Sequence, residues 1–296
     1  MKNKSTAISA LILILILVLF YIFSPGFRTE LSNLLELEGK LEYDLSKNAV
    51  VHIIDVGQGD SILLQSEKYN VLIDAGPNSS EEKLVEYLAS LGINKLDCLV
   101  LTHPHEDHIG GADLVLERFG TDTLLMPDCM SSSRAFENVL DAAEANGIGI
   151  TVPDRGDKFS LGGLDFTVLA PDSKSYKEIN DYSIVLKAQY GDTAFMLTGD
   201  AEALSEYEII DHFGEDFLKC DLLKVGHHGS SSSSSKEFVR AVSPVLAAIS
   251  CGLDNDYGHP HRETRSLFDD EGIEYYRTDL DGTLVFVSDK REVFVG

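Results

Sequence analysis

Basic side chains are scarce in this chain: its 296 residues hold 24 Lys and Arg against 49 Asp and Glu, a formal charge of -25. That deficit argues against a protein gripping nucleic acid along a broad basic surface. It leaves room for a local site where metal ions supply positive charge. Cysteine is sparse too. Cys98, Cys129, Cys220 and Cys251 lie far apart with no C-x-x-C pair, which supports neither a thiolate zinc site nor a dense disulfide framework. Tryptophan is absent, which excludes nothing. No tandem repeat of fixed period occurs, and the six serines Ser230–Ser235 are too short a patch to link domains. What is present is ordinary for a folded protein: 44% hydrophobic and 25% charged residues, enough to exclude wholesale disorder.

The first segment stands apart. Residues Ala7–Phe23 run for 17 residues without a charge, behind Lys2 and Lys4. A bilayer span usually takes roughly 20 residues and a signal-peptide core about 7–15, so the run falls between them. No small-x-small cleavage site follows it, and no cysteine for a lipid. The reading is a cytoplasmic tail (1–6) and an uncleaved single-pass transmembrane anchor (7–23), with the lysines inside the cell membrane and the remainder on the extracytoplasmic side. A cleaved signal peptide, and hence a secreted protein, is the alternative. Residues 24–48 read as a tether with a short helix over Leu31–Leu37, and 49–296 as one folded domain.

From Val50 onward, β-branched runs of about four to seven residues alternate with amphipathic stretches. Helices are expected over Ser80–Leu91, Arg134–Asn146, Ala201–Phe213, Lys236–Val242 and Thr264–Glu271, several closed by glycine. The alternation indicates a layered α/β or α+β domain.

Chemistry concentrates in Leu99-Val-Leu-Thr-His103-Pro-His105-Glu-Asp107-His108-Ile-Gly-Gly111. An apolar strand ends, and four ligand-type side chains fall within six residues. Imidazole and carboxylate suit zinc and comparable divalent ions. His103 and His105 alternate and can point to one side of an extended segment, while Asp107 and His108 follow a turn and can serve a neighbouring position. Gly110 and Gly111 let the backbone turn tightly there.

H-x-H-x-D-H after an apolar strand resembles the signature of the metallo-β-lactamase superfamily. Further motifs resemble its ComEC-like hydrolase subgroup, typified by the C-terminal domain of the competence protein. They are Asp55-Val-Gly-Gln-Gly-Asp60-Ser61, Leu72-Ile-Asp74-Ala-Gly76, Asn180-Asp181-Tyr-Ser183, Leu197-Thr-Gly199-Asp200, Lys224-Val-Gly-His227-His228-Gly229-Ser230 and Tyr257-Gly-His259-Pro260-His261. The resemblance implies a four-layer αββα sandwich with two divalent metals at one edge. It implies His103 and His105 on one metal, Asp107 and His108 on the other with His227 completing that second set, and Asp200 bridging both. Asp74 matches an aspartate that orients ligands without coordinating. Classical members supply a third histidine to the first metal, yet no histidine lies between His108 and Asp200 here, a gap that the resemblance implies is shared by ComEC-like proteins and marks a variant site. Asn180 or Asp181 stands where that ligand is expected, so oxygen donors are possible there and manganese is as credible as zinc.

Other positions carry two readings. His228 is a neighbour of the ligands or a substrate contact. His259 is an idle loop histidine or, like Asp107, a catalytic residue, as a phosphate contact or proton donor. Ser230–Ser235 either cradle an anion at the helix starting near Lys236 or merely cap it. Asp55 and Asp60 shape a hairpin turn, and Cys98 and Cys251 are small core residues. The resemblance implies a metal-dependent phosphodiester hydrolase, with DNA as the leading substrate. The alternatives are a cell-envelope phosphodiesterase similar to phosphorylcholine esterases acting on teichoic acid, and a tethered binding protein without turnover.

Overall fold

The computed structural model describes residues 43–172 and 175–296. The anchor and tether readings lie almost entirely outside them, and no described helix is long and apolar enough to cross a membrane. The hydrolase unit is compact from Asp44 to Gly296, beginning with a turn in which Asp44 Oδ1 accepts from the Ser46 hydroxyl at 2.6 Å.

Seventeen strands follow in chain order: β1 Ala49–Ile53, β2 Ile62–Ser66, β3 Tyr69–Ile73, β4 Lys95–Leu96, β5 Cys98–Val100, β6 Gly120–Thr121, β7 Leu124–Leu125, β8 Ile150–Thr151, β9 Lys158–Leu161, β10 Leu164–Ala170, β11 Val185–Tyr190, β12 Thr193–Leu197, β13 Leu222–Lys224, β14 Leu246–Ile249, β15 Glu274–Arg277, β16 Leu284–Ser288 and β17 Val293–Val295. Eight build one sheet in the order β17-β16-β1-β2-β3-β5-β7-β8, and seven build another in the order β15-β14-β13-β12-β11-β10-β9. In each sheet one half is antiparallel and the other parallel. The parallel halves are β3-β5-β7-β8 and β12-β13-β14-β15.

The two-residue period of the strands sorts their apolar side chains into layers. Val51, Ile53, Val100, Phe166, Leu186, Phe195 and Leu222 meet between the sheets. Leu63, Leu72, Leu99 and Leu101 face the other way, onto helices α1 (Glu81–Ser90), α3 (Ala112–Arg118) and α4 (Arg134–Ala145), with the one-turn α2 (Glu106–Ile109) contributing Ile109. Val185, Met196 and Leu223 pack outward against α5 (Ala203–Phe213), α6 (Glu215–Leu218), α7 (Lys236–Val242) and α8 (Arg262–Glu271). The result is the expected αββα sandwich. Each fully buried Leu, Ile or Phe in these layers contributes about 1.5–3 kcal/mol.

Helix expectations hold to within two residues at α1, α4, α5, α7 and α8. Two short helices are not expected from the sequence: α2 arises inside the ligand motif and α3 directly after it, with Gly110 and Gly111 between them permitting close packing. A Cβ on Gly110 would stand 2.3 Å from the backbone nitrogen of Asn78. Among the edge strands, β8, β15 and β17 carry no alternating apolar signature and expose polar or solvent-facing residues, whereas β9 alternates, with Phe159 and Leu161 against the core.

This architecture positions the chemistry. Asp74 follows β3, His103 to His108 follow β5, Asp200 follows β12, His227 and His228 follow β13, and His259 follows β14. Asp60 precedes β2, which runs antiparallel to β3. All therefore emerge at the carboxyl ends of the parallel strands, where open α/β sheets bind ligands.

Candidate metal centre

The ligand motif folds so that its histidines converge with Asp200. His103 Nε2 stands 3.0 Å from His105 Nδ1 and 3.9 Å from Asp200 Oδ2. His108 Nε2 lies 3.3 Å from Asp200 Oδ1. Asp107 Oδ2 lies 3.2 Å from His228 Nε2, which is also 3.6 Å from Asp200 Oδ2. Two sets of donor atoms, one from His103, His108 and Asp200 and one from Asp107, His108 and His228, each lie within 4.8 Å of one another.

His228, and not the expected His227, is thus grouped with Asp107 and His108. The cause is local. Both histidines have left-handed backbone angles, φ 49° and ψ 47° at His227 and φ 55° and ψ 22° at His228. Consecutive side chains then diverge, His228 turning fully inward and His227 keeping a side chain 23% exposed.

A ring of buried polar groups fixes the cluster. Asp74 Oδ2 accepts from His108 Nδ1 at 2.8 Å, while its two oxygens accept from the Thr102 backbone N–H and hydroxyl, both at 2.7 Å. His228 Nδ1 faces the Ser250 carbonyl at 3.0 Å and Asp60 Oδ1 at 3.3 Å. Asp60 is not the simple hairpin residue expected. It is fully buried and paired with Lys224 Nζ at 2.6 Å, and that ammonium also donates to the Val225 carbonyl. The sequence signal available for it was its place in the Asp55–Ser61 motif. Glu202, which also borders the site, stands in no pattern that marks it, whereas Ser183 closes the Asn180 motif and Ser232 lies in the serine run.

Charge follows from this packing. Burial opposes ionisation of Asp200 and Asp107, but the imidazoles of His108 and His228 prevail and hold both well below the usual carboxylate range. Burial likewise opposes protonation of His108, yet Asp200, Asp74 and Asp107 push it well above its ordinary value. His228, against the same burial, is driven up to about 10 by Asp200, Asp60 and Asp107. His103 moves the other way, lowered by burial and by His108, as is His105 by burial. Four carboxylates, Asp60, Asp74, Asp107 and Asp200, thus meet the cluster imidazoles at one site, with Lys224 pairing Asp60 on its far side.

The donors fit divalent cations. His108 Nε2, His228 Nε2 and Asp200 Oδ1 are buried with no hydrogen-bond partner among the described residues, although buried polar atoms ordinarily find one. Imidazole and carboxylate together are the ligand chemistry of zinc and manganese.

The remaining expected residues fall around this cluster. Asn180 Nδ2 faces Glu202 Oε1 at 3.1 Å and His227 Nδ1 at 3.4 Å, and Asp181 Oδ1 accepts the Glu202 backbone N–H at 3.2 Å. Both are thus turned toward Glu202. The serine run is no anion cradle: the Glu206 carboxylate already accepts the backbone N–H groups of Ser234 and Ser235, and Ser235 caps α7. Ser230 hydrogen-bonds within the run, to Ser232 at 3.0 Å. His259 lies at the edge of the cluster, its ring 5.5 Å from that of His227 and stacked 6.2 Å from that of His228. Cys98 and Cys251 are buried in the core, and all four cysteines are free.

The metallo-beta-lactamase superfamily model matches residues 54–252, which contain nearly the whole of this cluster. The chain belongs to that superfamily. It is a metallo-beta-lactamase superfamily hydrolase of the ComEC-like type. It is 36% identical over 260 residues to ComE operon protein 3 of Bacillus subtilis, covering 82% of this chain and 33% of that protein. It is 31% identical to competence protein ComA of Neisseria gonorrhoeae, covering 80% of this chain and 32% of that one. The chain therefore spans about a third of the length of these curated relatives. Among solved structures, the metallo-beta-lactamase fold protein YhfI from Bacillus subtilis superposes with a TM-score of 0.55 at 15% identity, covering 82% of this chain and 100% of that one. That likeness supports the fold alone.

Proposed function

We propose that this chain hydrolyses phosphodiester bonds through two divalent metal ions, zinc or manganese, with DNA as its substrate class. The observation that carries the reading is the convergence of buried, unpartnered His108 Nε2, His228 Nε2 and Asp200 Oδ1 on one space lined by carboxylates. A metal pair held there supplies an activated water and polarises the phosphoryl oxygen.

In this reading His103 and His105 would hold one ion and Asp107, His108 and His228 the other, with the Asp200 carboxylate available to both. Asp74 and Asp60 fix the Nδ1 sides of His108 and His228, leaving Nε2 for coordination. His259 contacts the phosphate from the open edge. Beside it, the Tyr257 ring stacks on His259 at 5.6 Å and is 67% exposed, a flat face on which a nucleobase can stack. His261 braces this loop, its two ring nitrogens taken up by Ser231 and the Tyr257 carbonyl. The similarity to competence proteins supports DNA as the substrate. The apolar run Ala7–Phe23 behind Lys2 and Lys4 supports a membrane anchor with the hydrolase on the outer side.

The test is incubation of the chain with DNA, RNA, a generic phosphodiester and a choline phosphoester, each with Zn or Mn. DNA cleavage is the expected result. Release of choline without DNA cleavage would replace this reading with the envelope phosphodiesterase.

A further inference from the structure

The first metal position lacks the histidine that classical members draw from between the H-x-H-x-D-H motif and the bridging aspartate. We propose that His227 fills it, held by Glu202, so that the adjacent histidines are divided between the two metals. The inference rests on the two-metal reading above.

His103, His108 and His228 share one arrangement: one nitrogen faces the shared space and the other rests on a fixed partner. His103 Nδ1 meets the Thr102 hydroxyl at 3.1 Å, His108 Nδ1 meets Asp74, and His228 Nδ1 meets Ser250 and Asp60. Such outer partners set the tautomer and aim the free nitrogen at a metal. His227 repeats the pattern. Its Nδ1 lies 3.1 Å from the Ser232 hydroxyl and 3.4 Å from Glu202 Oε1, and its Nε2 lies 3.6 Å from Asp200 Oδ2. That oxygen also faces His103 Nε2 at 3.9 Å and His228 Nε2 at 3.6 Å. Glu202 is itself held by the Asn180 amide and the Ser232 hydroxyl, both at 3.1 Å. Nδ1 of His227 thus rests on Ser232 and Glu202 while Nε2 points toward Asp200.

The alternatives are oriented differently. Asn180 turns its amide nitrogen to Glu202 and His227, while its buried Oδ1 has no hydrogen-bond partner among the described residues. Asp181 accepts a backbone N–H. His259 Nδ1 faces Gln58 at 3.5 Å, and both His261 nitrogens are bound in their loop. His228 is committed to Asp107. The backbone points the same way. Two successive left-handed non-glycine residues cost about 1–2 kcal/mol each, and here they turn neighbouring rings 69° apart with centroids separated by 6.1 Å. One strained turn thereby brings both imidazoles to Asp200 Oδ2 from diverging directions, only His228 also reaching Asp107.

The test counts zinc bound per chain, by elemental analysis of the full chain after dialysis at limiting free zinc. The wild type is expected to hold two ions and His227→Ala one. His105→Ala/His227→Ala is expected to hold one, because both changes strike the same position, and that retained ion also reports a folded chain. His108→Ala/His227→Ala is expected to hold none. Glu202→Gln should keep both ions, with one bound about 10–100-fold more weakly. The inference is overturned if His227→Ala binds two ions as tightly as the wild type. It is equally overturned if His105→Ala/His227→Ala is empty while His108→Ala/His227→Ala retains one. A wild-type chain holding fewer than two ions would overturn the two-metal reading itself.

Discussion

Replacing Lys224 with methionine separates the stability of the fold from the tuning of the site. Lys224 Nζ and Asp60 Oδ2 are 2.6 Å apart, and both side chains are fully buried. Asp60 has a pKa of about 2: burial opposes its ionisation, and Lys224, followed by His228, overcomes that penalty. Lys224→Met keeps the volume and removes the ammonium, leaving the carboxylate desolvated beside His228. Breaking a buried pair from one side costs about 3–5 kcal/mol, whereas replacing both partners with apolar residues is often neutral. The single variant should therefore lose about a thousandfold in folding equilibrium, and Lys224→Met/Asp60→Leu should recover most of it. The double variant still lacks the carboxylate beside His228 Nδ1, so its metal affinity should remain about 10–100-fold weaker. Urea unfolding followed by far-ultraviolet circular dichroism reads the first effect, since the chain has no tryptophan, and zinc titration reads the second. A single variant that loses less than about 1 kcal/mol, or a double variant no more stable than the single, would refute the reasoning.

Three other outcomes follow from the same geometry. His52 is buried in β1 with Nδ1 2.8 Å from the Tyr87 hydroxyl, and burial lowers its pKa to about 4. Its neutral form favours the fold, so the linked stability is complete above about pH 6.5 and is lost as pH falls toward 4, by about 3 kcal/mol. His52→Leu should shrink the drop in urea midpoint between pH 7 and pH 4, and an unchanged drop would contradict this. Tyr257→Ala should raise KM for DNA without altering turnover of a small chromogenic phosphodiester, and an equal effect on both would remove the stacking role. Because Ala7–Phe23 reads as an uncleaved anchor, the protein should stay with membranes through an alkaline carbonate wash, and its release would count against anchoring.

The layered fold was legible because interior strands announce themselves: Val51, Ile53, Val100 and Phe195 recur on a two-residue period with buried neighbours. Edge strands such as Glu274–Arg277 lack that period, since one side of each faces solvent. Within the site, ligand type and spacing identified His103, His105, Asp107 and His108 as a group, and the strand-end position of Asp74 suggested the hydrogen bond it makes to His108. The roles of His227 and His228 could not be separated by spacing, because the separation comes from two left-handed residues that sequence does not encode visibly. Asp60 and Lys224 are 164 positions apart, and a pair so distant leaves no local pattern. Glu202 escaped notice for a similar reason: its partners come from two separate segments, Asn180 from between β10 and β11, and His227 and Ser232 from between β13 and α7.

The central claim is that Asp200 joins two metals in hydrolysis, and the most direct test is the initial rate of DNA cleavage by Asp200→Ala against the wild type. Both would be stripped with chelator and restored with saturating Zn or Mn. The account predicts that the wild type loses activity on chelation and regains it with metal, while Asp200→Ala stays at background and remains folded. A variant that cleaves DNA within tenfold of the wild-type rate would contradict it.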